Sequence, residues 1–359
     1  MTQSHELEVV DVVEETADAH SITFRVPAGA EAEFSYKPGQ FLTVAVPSDR
    51  DGLAARCYSL CSSPTDESGT LTITVKRTAD GYASNWMCDQ VRPGSRVRVL
   101  PPSGIFTPAS LDADLLLLAG GSGVTPVMSI LRTALARGTG RVVVLYANRD
   151  ERSVIFAAEL ARLAAEHPER LQVVHWLESV QGLPTQEQLR AFAADRASYD
   201  AFVCGPAPFM KLAVAALKDL GFPRERRHQE KFVSLGGNPF GDVPGLTSPG
   251  EQVDDQVEVA DDEPVVAGPV RLEVELDGKT HAFDDWDPRT RMLDFLEAKG
   301  VKAPWSCRAG ECSACAIRLV EGEVRMAHND VLDDEDLADG IRLGCQSTPV
   351  TDVVRGSYS

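Results

Sequence analysis

Four cysteines in the last sixth of the chain have the spacing of a metal-cluster site. Cys307, Cys312 and Cys315 follow the pattern C-x4-C-x2-C, and 29 residues separate the third from Cys345. Gly310 and its small neighbours allow a tight loop to wrap around one centre. This spacing is that of the ligands of a [2Fe–2S] cluster. Zinc is the alternative because four thiolates also suit it, although zinc ligands usually come as two short C-x2-C pairs.

The composition describes an acidic chain with enough apolar residues for several hydrophobic cores. The sequence has 359 residues, of which 43% are hydrophobic, and this length favours two or three domains. The formal net charge of −19 argues against binding to nucleic acid or to an anionic membrane surface. No apolar run approaches the roughly 20 residues of a membrane span, and the first residues lack the features of a signal peptide. We therefore expect a cytoplasmic protein with reduced cysteines.

Residues 1–107 have the pattern of an antiparallel β domain. Apolar or alternating segments such as Phe41–Val46 and Leu71–Lys76 are separated by turns rich in proline and glycine. Evenly spaced strands of this kind predict a barrel or a sandwich. One strand contains Arg56, whose guanidinium suits a phosphate, and Tyr58, which lies two residues on and therefore on the same face. Taken alone, this segment also fits an ordinary strand with one exposed arginine.

Residues 108–235 show the alternation of strands and helices that predicts a parallel sheet. The apolar strand Asp114–Ala119 precedes a glycine-rich turn, a helix expected from Val127 to Ala136, and a second apolar strand. A glycine-rich turn between strand and helix lets a pyrophosphate approach the backbone and the helix N-terminus. The turn Gly120–Pro126 lacks the G-x-G-x-x-G pattern, so on its own it also fits a plain tight connection.

A linker is expected over residues 236–268, followed by a final domain over residues 269–359. No lysine or arginine occurs between Gly241 and Pro269, whereas acidic residues are frequent there. A run of this composition cannot form a core and predicts an extended tether. The acidic run Asp333–Asp336 in the final domain has two interpretations, a solvated helix start or a surface that docks a basic partner.

The motifs of the first domain resemble the flavin domain of the ferredoxin–NADP reductase superfamily. The segments P-G-Q-F, R-x-Y-S and G-Y-A-S-N-W occur here in that order. The resemblance implies that Arg56 contacts the flavin phosphate and that Tyr58 and Ser59 lie along the isoalloxazine. It also implies that the turn from Gly81 to Ser84 binds a pyrophosphate, which points to FAD, with FMN as the lesser alternative.

The second domain resembles the pyridine-nucleotide domain of the same superfamily. The turn G-G-S-G-V-T-P, the turn C-G-P and the segment H-Q-E-K-F carry this resemblance. The residues that it implies are Gly121, Gly123 and Gly205 in the turns, Thr125 and Cys204 beside the nicotinamide, and Glu230 and Phe232 beside the flavin. Catalytic roles in the hydride step are implied for Ser59, Cys204 and Glu230. A plain core aromatic is the alternative interpretation of Phe232.

The last domain resembles the plant-type ferredoxins, which have a β-grasp fold. The motifs P-W-S-C and C-Q-S surround the first and last cluster ligands, Cys307 and Cys345. All three domains in this order resemble the reductases of bacterial multicomponent oxygenases, which pass electrons from NAD(P)H through FAD and a [2Fe–2S] cluster. The resemblance implies a multidomain oxidoreductase that serves a terminal oxygenase. We expect NADH rather than NADPH as the donor, and a monomer.

Within that family, the segment Glu321–Met326 and the following residues Asn329–Leu332 resemble two groups of reductases. The reductases of 3-ketosteroid 9α-hydroxylases are the most similar group. The alternative is a reductase of a phenylacetyl-CoA epoxidase or of another aromatic-degradation oxygenase. A Rieske-type steroid hydroxylase is therefore the expected partner. A simple flavin reductase would not need the four cysteines. A self-sufficient dioxygenase would need paired histidine ligands, and the seven histidines offer no obvious pair.

Overall fold

Three large β-sheets organise the described part of the chain, and each has its own hydrophobic core. The computed structural model describes residues 4–48, 52–66, 69–79, 81–232, 235, 239–240, 266, 268–276 and 278–358. The predicted acidic linker lies largely outside these residues. Across the described residues, no helix is both long and apolar enough to cross a membrane.

The first sheet is an antiparallel barrel. Its elements are β1 (His5–Thr16), β2 (Ala19–Arg25), β3 (Phe41–Ser48), β4 (Gly52–Ser59), β5 (Thr70–Lys76), α1 (Tyr82–Gln90) and β6 (Arg96–Val99). The strand order is β4-β3-β6-β1-β2-β5. Leu60, directly after β4, bridges Ile73 in β5, so the two edge strands meet and the sheet closes. The predicted β-barrel is therefore confirmed.

The second sheet is parallel and has helices on both faces. Its elements are β7 (Leu115–Gly120), α2 (Val124–Arg137), β8 (Val142–Asn148), α3 (Ala157–Glu166), β9 (Leu171–Leu177), α4 (Glu178–Gln181), α5 (Gln186–Ala193), β10 (Asp200–Cys204), α6 (Ala207–Asp219) and β11 (Arg227–Glu230). The order β11-β10-β7-β8-β9 makes the fully buried β7 the central strand. The helix start predicted at Val127 is wrong, because α2 begins at Val124. Pro126 is tolerated there because the first turn of a helix needs no N–H donor.

The third sheet is mixed and packs against one short helix. Its elements are β12 (Val270–Leu276), β13 (Lys279–Trp286), α7 (Met292–Ala298), β14 (Ala316–Glu321), β15 (Val324–Met326), α8 (Asp334–Ala338), β16 (Ile341–Leu343), β17 (Ser347–Pro349) and β18 (Val353–Tyr358). The order of the larger sheet is β13-β12-β18-β14-β16, while β15 and β17 form a separate pair. Parallel pairing of β12 with β18, between antiparallel neighbours, gives the predicted β-grasp arrangement.

The barrel and the parallel sheet contact each other through α2. Ser129 of this helix donates a hydrogen bond to the Ser62 carbonyl across 2.7 Å, and the Thr133 and Ser63 hydroxyls lie 2.9 Å apart. Arg132 donates to the Cys61 carbonyl. These contacts attach the middle of α2 to the barrel segment that follows β4.

Two acids of the run at α8, Glu335 and Asp336, form ion pairs within the chain. Asp333 caps the helix by accepting from the backbone N–H of Asp336, which confirms a helix start. Asp336 forms an ion pair with Arg224, just before β11 in the second sheet. Glu335 lies 3.2 Å from Arg227, whose side chain is only 8% exposed. The helix start is therefore as expected and Asp334 is exposed, whereas Glu335 and Asp336 are paired with basic residues of the second domain rather than solvated.

We predict that the double variant Glu335→Gln/Asp336→Asn loosens the contact between the third sheet and the second. Exposed ion pairs contribute about 0.2–1 kcal/mol each, and the loss is larger where a buried cation such as Arg227 loses its partner. Hydrogen–deuterium exchange of the full-length protein should become faster in α8 and in β11. High salt should have the same effect on the wild type.

The matched control for this variant is Glu321→Gln, which removes an ion pair with Arg355 inside the third sheet. Its exchange in α8 and β11 should equal that of the wild type. Unchanged exchange in the double variant would show that these ion pairs do not hold the two sheets together.

Candidate functional site

A cavity of about 330 Å³ opens between the barrel and the start of α2. Its walls come from the end of β4, from β5, from the start of α1 and from the glycine-rich turn after β7. Seven residues predicted to bind flavin or nucleotide line it, namely Arg56, Tyr58, Ser59, Gly81, Ser84, Thr125 and Phe232. Phe232 is 49% exposed, so the structure does not support a plain core aromatic there.

The cavity has a cationic wall. Arg56 and Lys76 line it, and none of the described residues in its walls is acidic. The Arg56 guanidinium donates to the carbonyl oxygens of Ala55 at 2.7 Å and Leu235 at 3.1 Å, and these bonds fix its position. A fixed guanidinium in a wall without carboxylates suits a phosphate group.

The start of α1 adds backbone donors to the same wall. The residue before the helix is Gly81, so no side chain caps the first turn, and this turn contains no acidic residue. Unpaired N–H groups and the helix dipole make such an N-terminus an anion site. Together with Arg56, this helix start gives the cavity the donors that a diphosphate needs, so the walls fit FAD.

Two glycine turns at the carboxyl ends of β7 and β10 touch each other directly. A Cβ on Gly123 would lie 2.2 Å from the Cys204 carbonyl oxygen, and a Cβ on Gly205 would lie 2.9 Å from the backbone of the other turn. Neither position has room for a side chain. Gly121 has a φ of 52°, and a Cβ there would meet no atom within 4 Å. The backbone at Gly121 is therefore accessible to a ligand beside Thr125 and the cavity.

The carboxyl of Glu230 lies where the barrel meets the parallel sheet. Ser59 Oγ donates to Glu230 Oε2 across 3.1 Å, and Glu230 pairs with Cys204 in the register of β10 and β11. Burial raises the pKa of Glu230 to about 8, against the opposing effect of the Ser59 hydrogen bond. Burial and the nearby Glu230 also raise the pKa of the Cys204 thiol. Both shifts favour the neutral form of these groups at pH 7.

The cysteine loop, which we define as residues 307–315, turns tightly through left-handed backbone conformations. Arg308 and Ser313 have φ values of 58° and 52°, and Gly310 has a φ of 81°. A Cβ on Gly310 would lie 2.7 Å from the His328 carbonyl oxygen, so the loop needs glycine at this position for space as well as conformation. The loop thereby turns its sulfur-bearing residues inwards.

The four cysteine sulfurs form an extended set. Cys307 lies beside Cys312 and Cys345, and Cys345 lies beside Cys315. Among the described residues, one group of three potential metal ligands has all its ligand atoms within 4.8 Å of one another, and it contains no cysteine. No three of the four sulfurs therefore lie that close together. A tetrahedral zinc ion would need all four sulfurs around one point. The sulfurs instead form a row, Cys312, Cys307, Cys345 and Cys315, and such an extended set fits the two iron ions of a [2Fe–2S] cluster.

Backbone N–H groups stabilise the thiolate form of Cys307. The N–H groups of Ala309 and Glu311 lie 3.4 and 3.3 Å from its sulfur. Hydrogen bonding from the neighbouring thiols of Cys312 and Cys345, together with these backbone groups, lowers the pKa of Cys307, and the same hydrogen bonds raise the pKa of Cys312 and Cys345. A deprotonated sulfur is the form that binds iron, so this environment suits a ligand.

The cysteine loop packs against the barrel strand that borders the cavity. Ala55 and Cys57 of β4 share a small apolar cluster with Cys307. The hydroxyls of Thr43 in β3 and Ser306 form a hydrogen bond across the same contact. The cavity and the predicted cluster site are therefore neighbours that share β4.

Several residues of the site were not singled out from the sequence. Tyr82 and Ser122 line the cavity, and both fall inside motifs that the sequence analysis used, so the motifs themselves were the available signal. Lys76 also lines it but has no motif, because only strand pairing brings β5 beside β4. Thr43 and Ser306 are 263 residues apart in the sequence, and no local pattern connects them.

Three protein families match consecutive parts of the chain. The family described as oxidoreductase FAD-binding domain matches residues 6–107, and the oxidoreductase NAD-binding domain family matches residues 117–215. The 2Fe-2S iron-sulfur cluster binding domain family matches residues 274–350. These matches confirm the prediction of FAD, NAD(H) and a [2Fe–2S] cluster as the cofactors.

Similar proteins extend over the whole chain. Identity is 54% over 347 residues to the 3-ketosteroid-9-alpha-monooxygenase, ferredoxin reductase component, of Rhodococcus rhodochrous, covering 96% of this chain and 94% of the relative. Identity is 32% over 370 residues to a component of the 1,2-phenylacetyl-CoA epoxidase of Escherichia coli strain K12, covering 99% and 98%. The solved structure of phthalate dioxygenase reductase has the same fold, with a TM-score of 0.56 at 22% identity, covering 99% of this chain and 98% of that one.

These matches and the site geometry agree on one kind of protein. An FAD-binding, an NAD-binding and a [2Fe–2S] domain in one chain make it an NAD(P)H-dependent flavin iron–sulfur oxidoreductase, which transfers electrons to a terminal oxygenase. The predicted family resemblance is thereby confirmed. The chain belongs to the family of three-domain ferredoxin reductase components of oxygenases, which includes the reductase component of 3-ketosteroid-9-alpha-monooxygenase.

Proposed function

We propose that the oxygenase served by this chain is a Rieske-type steroid hydroxylase that acts at the 9α position of 3-ketosteroids. The support is the 54% identity to the ferredoxin reductase component of a 3-ketosteroid-9-alpha-monooxygenase, compared with 32% to the epoxidase component. The alternative partner is therefore a phenylacetyl-CoA epoxidase or another aromatic-degradation oxygenase. The steroid itself binds to the oxygenase, so this chain needs no steroid pocket.

The single observation that carries the flavin assignment is the cavity that collects seven separately predicted residues. We assign the phosphate contact to Arg56, the isoalloxazine contacts to Tyr58 and Ser59, and the pyrophosphate contact to the backbone from Gly81 to Ser84. When bound, FAD accepts two electrons as a hydride and can release them one at a time. The chain supplies a cationic wall, backbone donors and a position for the ring.

The nucleotide contacts are assigned to the two touching glycine turns. Gly121, Gly123 and Gly205 leave backbone exposed for the nucleotide, and Thr125 and Cys204 flank the nicotinamide. The support is that Thr125 lines the cavity while Cys204 lies at the end of the neighbouring strand. Phe232 covers the cavity when nicotinamide is absent, which its half-exposed ring in the cavity wall supports.

NADH is the proposed electron donor rather than NADPH. In the loop after β8, the Asp150 carboxylate accepts from the Ser153 N–H and hydroxyl at 3.0 and 2.8 Å. Arg149 forms an ion pair with Asp18 across 3.2 Å. A 2′-phosphate could be bound by Arg149, Arg152 or Ser153, and the first and last of these already have partners within the chain.

The hydride step uses three groups around the flavin edge. Ser59 Oγ and the neutral carboxyl of Glu230 hold each other in place, and Cys204 adds an uncharged neighbour. A neutral carboxyl avoids placing a negative charge where two electrons arrive. The cluster ligands are assigned to Cys307, Cys312, Cys315 and Cys345, because each of these sulfurs lies beside at least one other of the set.

The proposed domain limits are those of the sequence analysis, with a flavin domain over 1–107, a nucleotide domain over 108–235 and a ferredoxin domain over 269–359. We also propose a cytoplasmic monomer. All eight cysteines are free, and the cytoplasm keeps thiols reduced.

The experiment that tests this function is an anaerobic titration with NADH and then NADPH, followed by visible absorbance and low-temperature EPR. NADH should bleach the flavin band and produce the rhombic EPR signal of a reduced [2Fe–2S] cluster. The reduced protein should then support turnover of a steroid 9α-hydroxylase. Failure of that oxygenase, with turnover of a phenylacetyl-CoA epoxidase, would overturn the proposed partner but not the relay.

We predict that Cys345→Ala abolishes the cluster and leaves flavin reduction intact, because it removes one of the four thiolates while lying outside the flavin cavity. Iron and acid-labile sulfide should fall by at least half, and the EPR signal should disappear. The control is Cys88→Ala, a buried barrel cysteine that donates to the Val75 carbonyl. Full cluster occupancy in Cys345→Ala would contradict the ligand assignment, and zinc content would be measured next.

We predict that flavin reduction by NADH slows as the pH rises through about 8, the pKa to which burial raises Glu230. Glu230 is neutral below this pH, and ionisation places a carboxylate beside the arriving hydride. The variant Glu230→Gln keeps the neutral state, so its rate should lack this pH dependence in stopped-flow measurements. Glu225→Gln, an exposed carboxyl nearby in the sequence, should behave as the wild type. The same pH profile in both variants would exclude Glu230.

The same ionisation changes stability with a defined sign. The pKa of Glu230 is higher in the folded protein than in the unfolded chain, so the protonated carboxyl favours the fold at low pH. That contribution is complete below the unfolded pKa of 4.5 and is lost as the pH rises through about 8. Relative to Glu230→Gln, the wild type should therefore lose stability over this interval in chemical denaturation.

A further inference from the structure

We propose that the contact of Thr43, Cys57 and Ser306 is the junction through which electrons pass from the flavin cavity to the cluster. Cys57 is a positioning residue in this junction. Its thiol holds the cysteine loop against β4 and excludes water from the cluster side. The inference rests on the proposed function, because it takes the flavin to bind beside Arg56 and Tyr58.

Cys57 borders both sites. It lies in the wall of the flavin cavity together with Arg56 and Tyr58. It also lies in the wall of a second cavity of about 30 Å³, which Cys312 borders from the side of the cysteine loop. The second cavity has room for about one water molecule. Because Cys57 and Cys312 both border it, only side chains and this small space separate the flavin cavity from the cysteine loop.

Hydrogen bonds connect Cys57 to the residue before the first cluster ligand. The Thr43 hydroxyl lies 3.5 Å from the Cys57 sulfur, and the same hydroxyl bonds to the Ser306 hydroxyl. Ser306 is 2% exposed and precedes Cys307 in the chain. The three residues therefore form a polar contact inside an otherwise apolar interface.

Apolar packing completes the contact. Ala55, Leu235 and Cys307 form a buried cluster, and Cys57 and Cys312 pack against it. Cys57 is bonded through one peptide to Tyr58, a proposed flavin contact, and packs beside Cys307, a proposed cluster ligand. This arrangement gives a short and close-packed route between the two cofactor sites.

The packing around Cys57 affects two quantities, the distance between the flavin and the cluster and the reduction potential of the cluster. Electron transfer through protein slows steeply as the gap between donor and acceptor widens. The potential of an iron–sulfur cluster depends on hydrogen bonds to its sulfurs and on its exposure to water. A side chain that fills the gap beside Cys307 and Cys312 affects both quantities, whereas a cysteine elsewhere in the barrel affects neither.

The test compares Cys57→Ala with Cys57→Ser and with the control Cys88→Ala in the full-length holoprotein. Anaerobic stopped-flow mixing with NADH would follow flavin bleaching and cluster reduction as separate phases, and a redox titration followed by EPR would give the cluster potential. In Cys57→Ala we expect cluster reduction to slow about tenfold or more relative to flavin bleaching in the same protein. We also expect a higher cluster potential, because water stabilises the more negative reduced state. Cys57→Ser, which keeps a hydrogen-bonding group of similar size, should restore most of the rate.

The proposal would be overturned if Cys57→Ala reduced its cluster at the wild-type rate and with the wild-type potential. It would also be overturned if cluster reduction slowed equally in Cys88→Ala. If Cys57→Ala failed to bind its cofactors, Thr43→Val would test the same junction from β3, with the same slowed phase expected and an unchanged phase contradicting it. Failure of the proposed function would look different, because NADH would then not reduce the cluster of the wild type at all.

Discussion

The contact between β4 and the cysteine loop is the interaction on which the arrangement of the two redox sites depends. Its apolar part is small, since the fully buried members are Ala55, Leu235 and Cys307. A contact of this size stabilises weakly when burial contributes about 25 cal/mol per Å². The ion pairs of α8 with Arg224 and Arg227 provide a second attachment, at a different edge of the third sheet. Two modest contacts at separate points fix the orientation better than either does alone.

Charge is distributed unevenly between the surface and the site. The chain carries a net charge of −19, yet the described walls of the flavin cavity contain two cations and no carboxylate. The acid closest to the reacting region, Glu230, is kept neutral by burial at pH 7. The acids of α8 are paired with basic residues of the second sheet. The molecule thus attracts anionic cofactors locally while its remaining surface stays acidic.

Local sequence patterns predicted the elements more reliably than they predicted their ends. The helix after the glycine turn was expected from Val127 but begins at Val124, because the turn is compressed into a single short 3₁₀ segment against Cys204. Proline at the first turn of a helix is compatible with that start, so the pattern contained no contrary signal. The acidic run had two interpretations, a solvated helix start or a surface for a basic partner. Neither includes the partners of Glu335 and Asp336 within the chain, Lys218, Arg224 and Arg227, which lie more than 100 residues away.

The sequence by itself determined the three-domain architecture, the cofactors and the candidate ligands, because each depends on residues that are close together in the chain. Cysteine spacing, the R-x-Y-S motif and the glycine turns report local backbone geometry and donor chemistry. Only the tertiary structure decided which residues join the domains. Lys76 enters the cavity through strand pairing, and Thr43, Cys57 and Ser306 meet because the third sheet packs on the barrel. Contacts of this kind depend on the relative placement of whole sheets, which no spacing within one segment encodes.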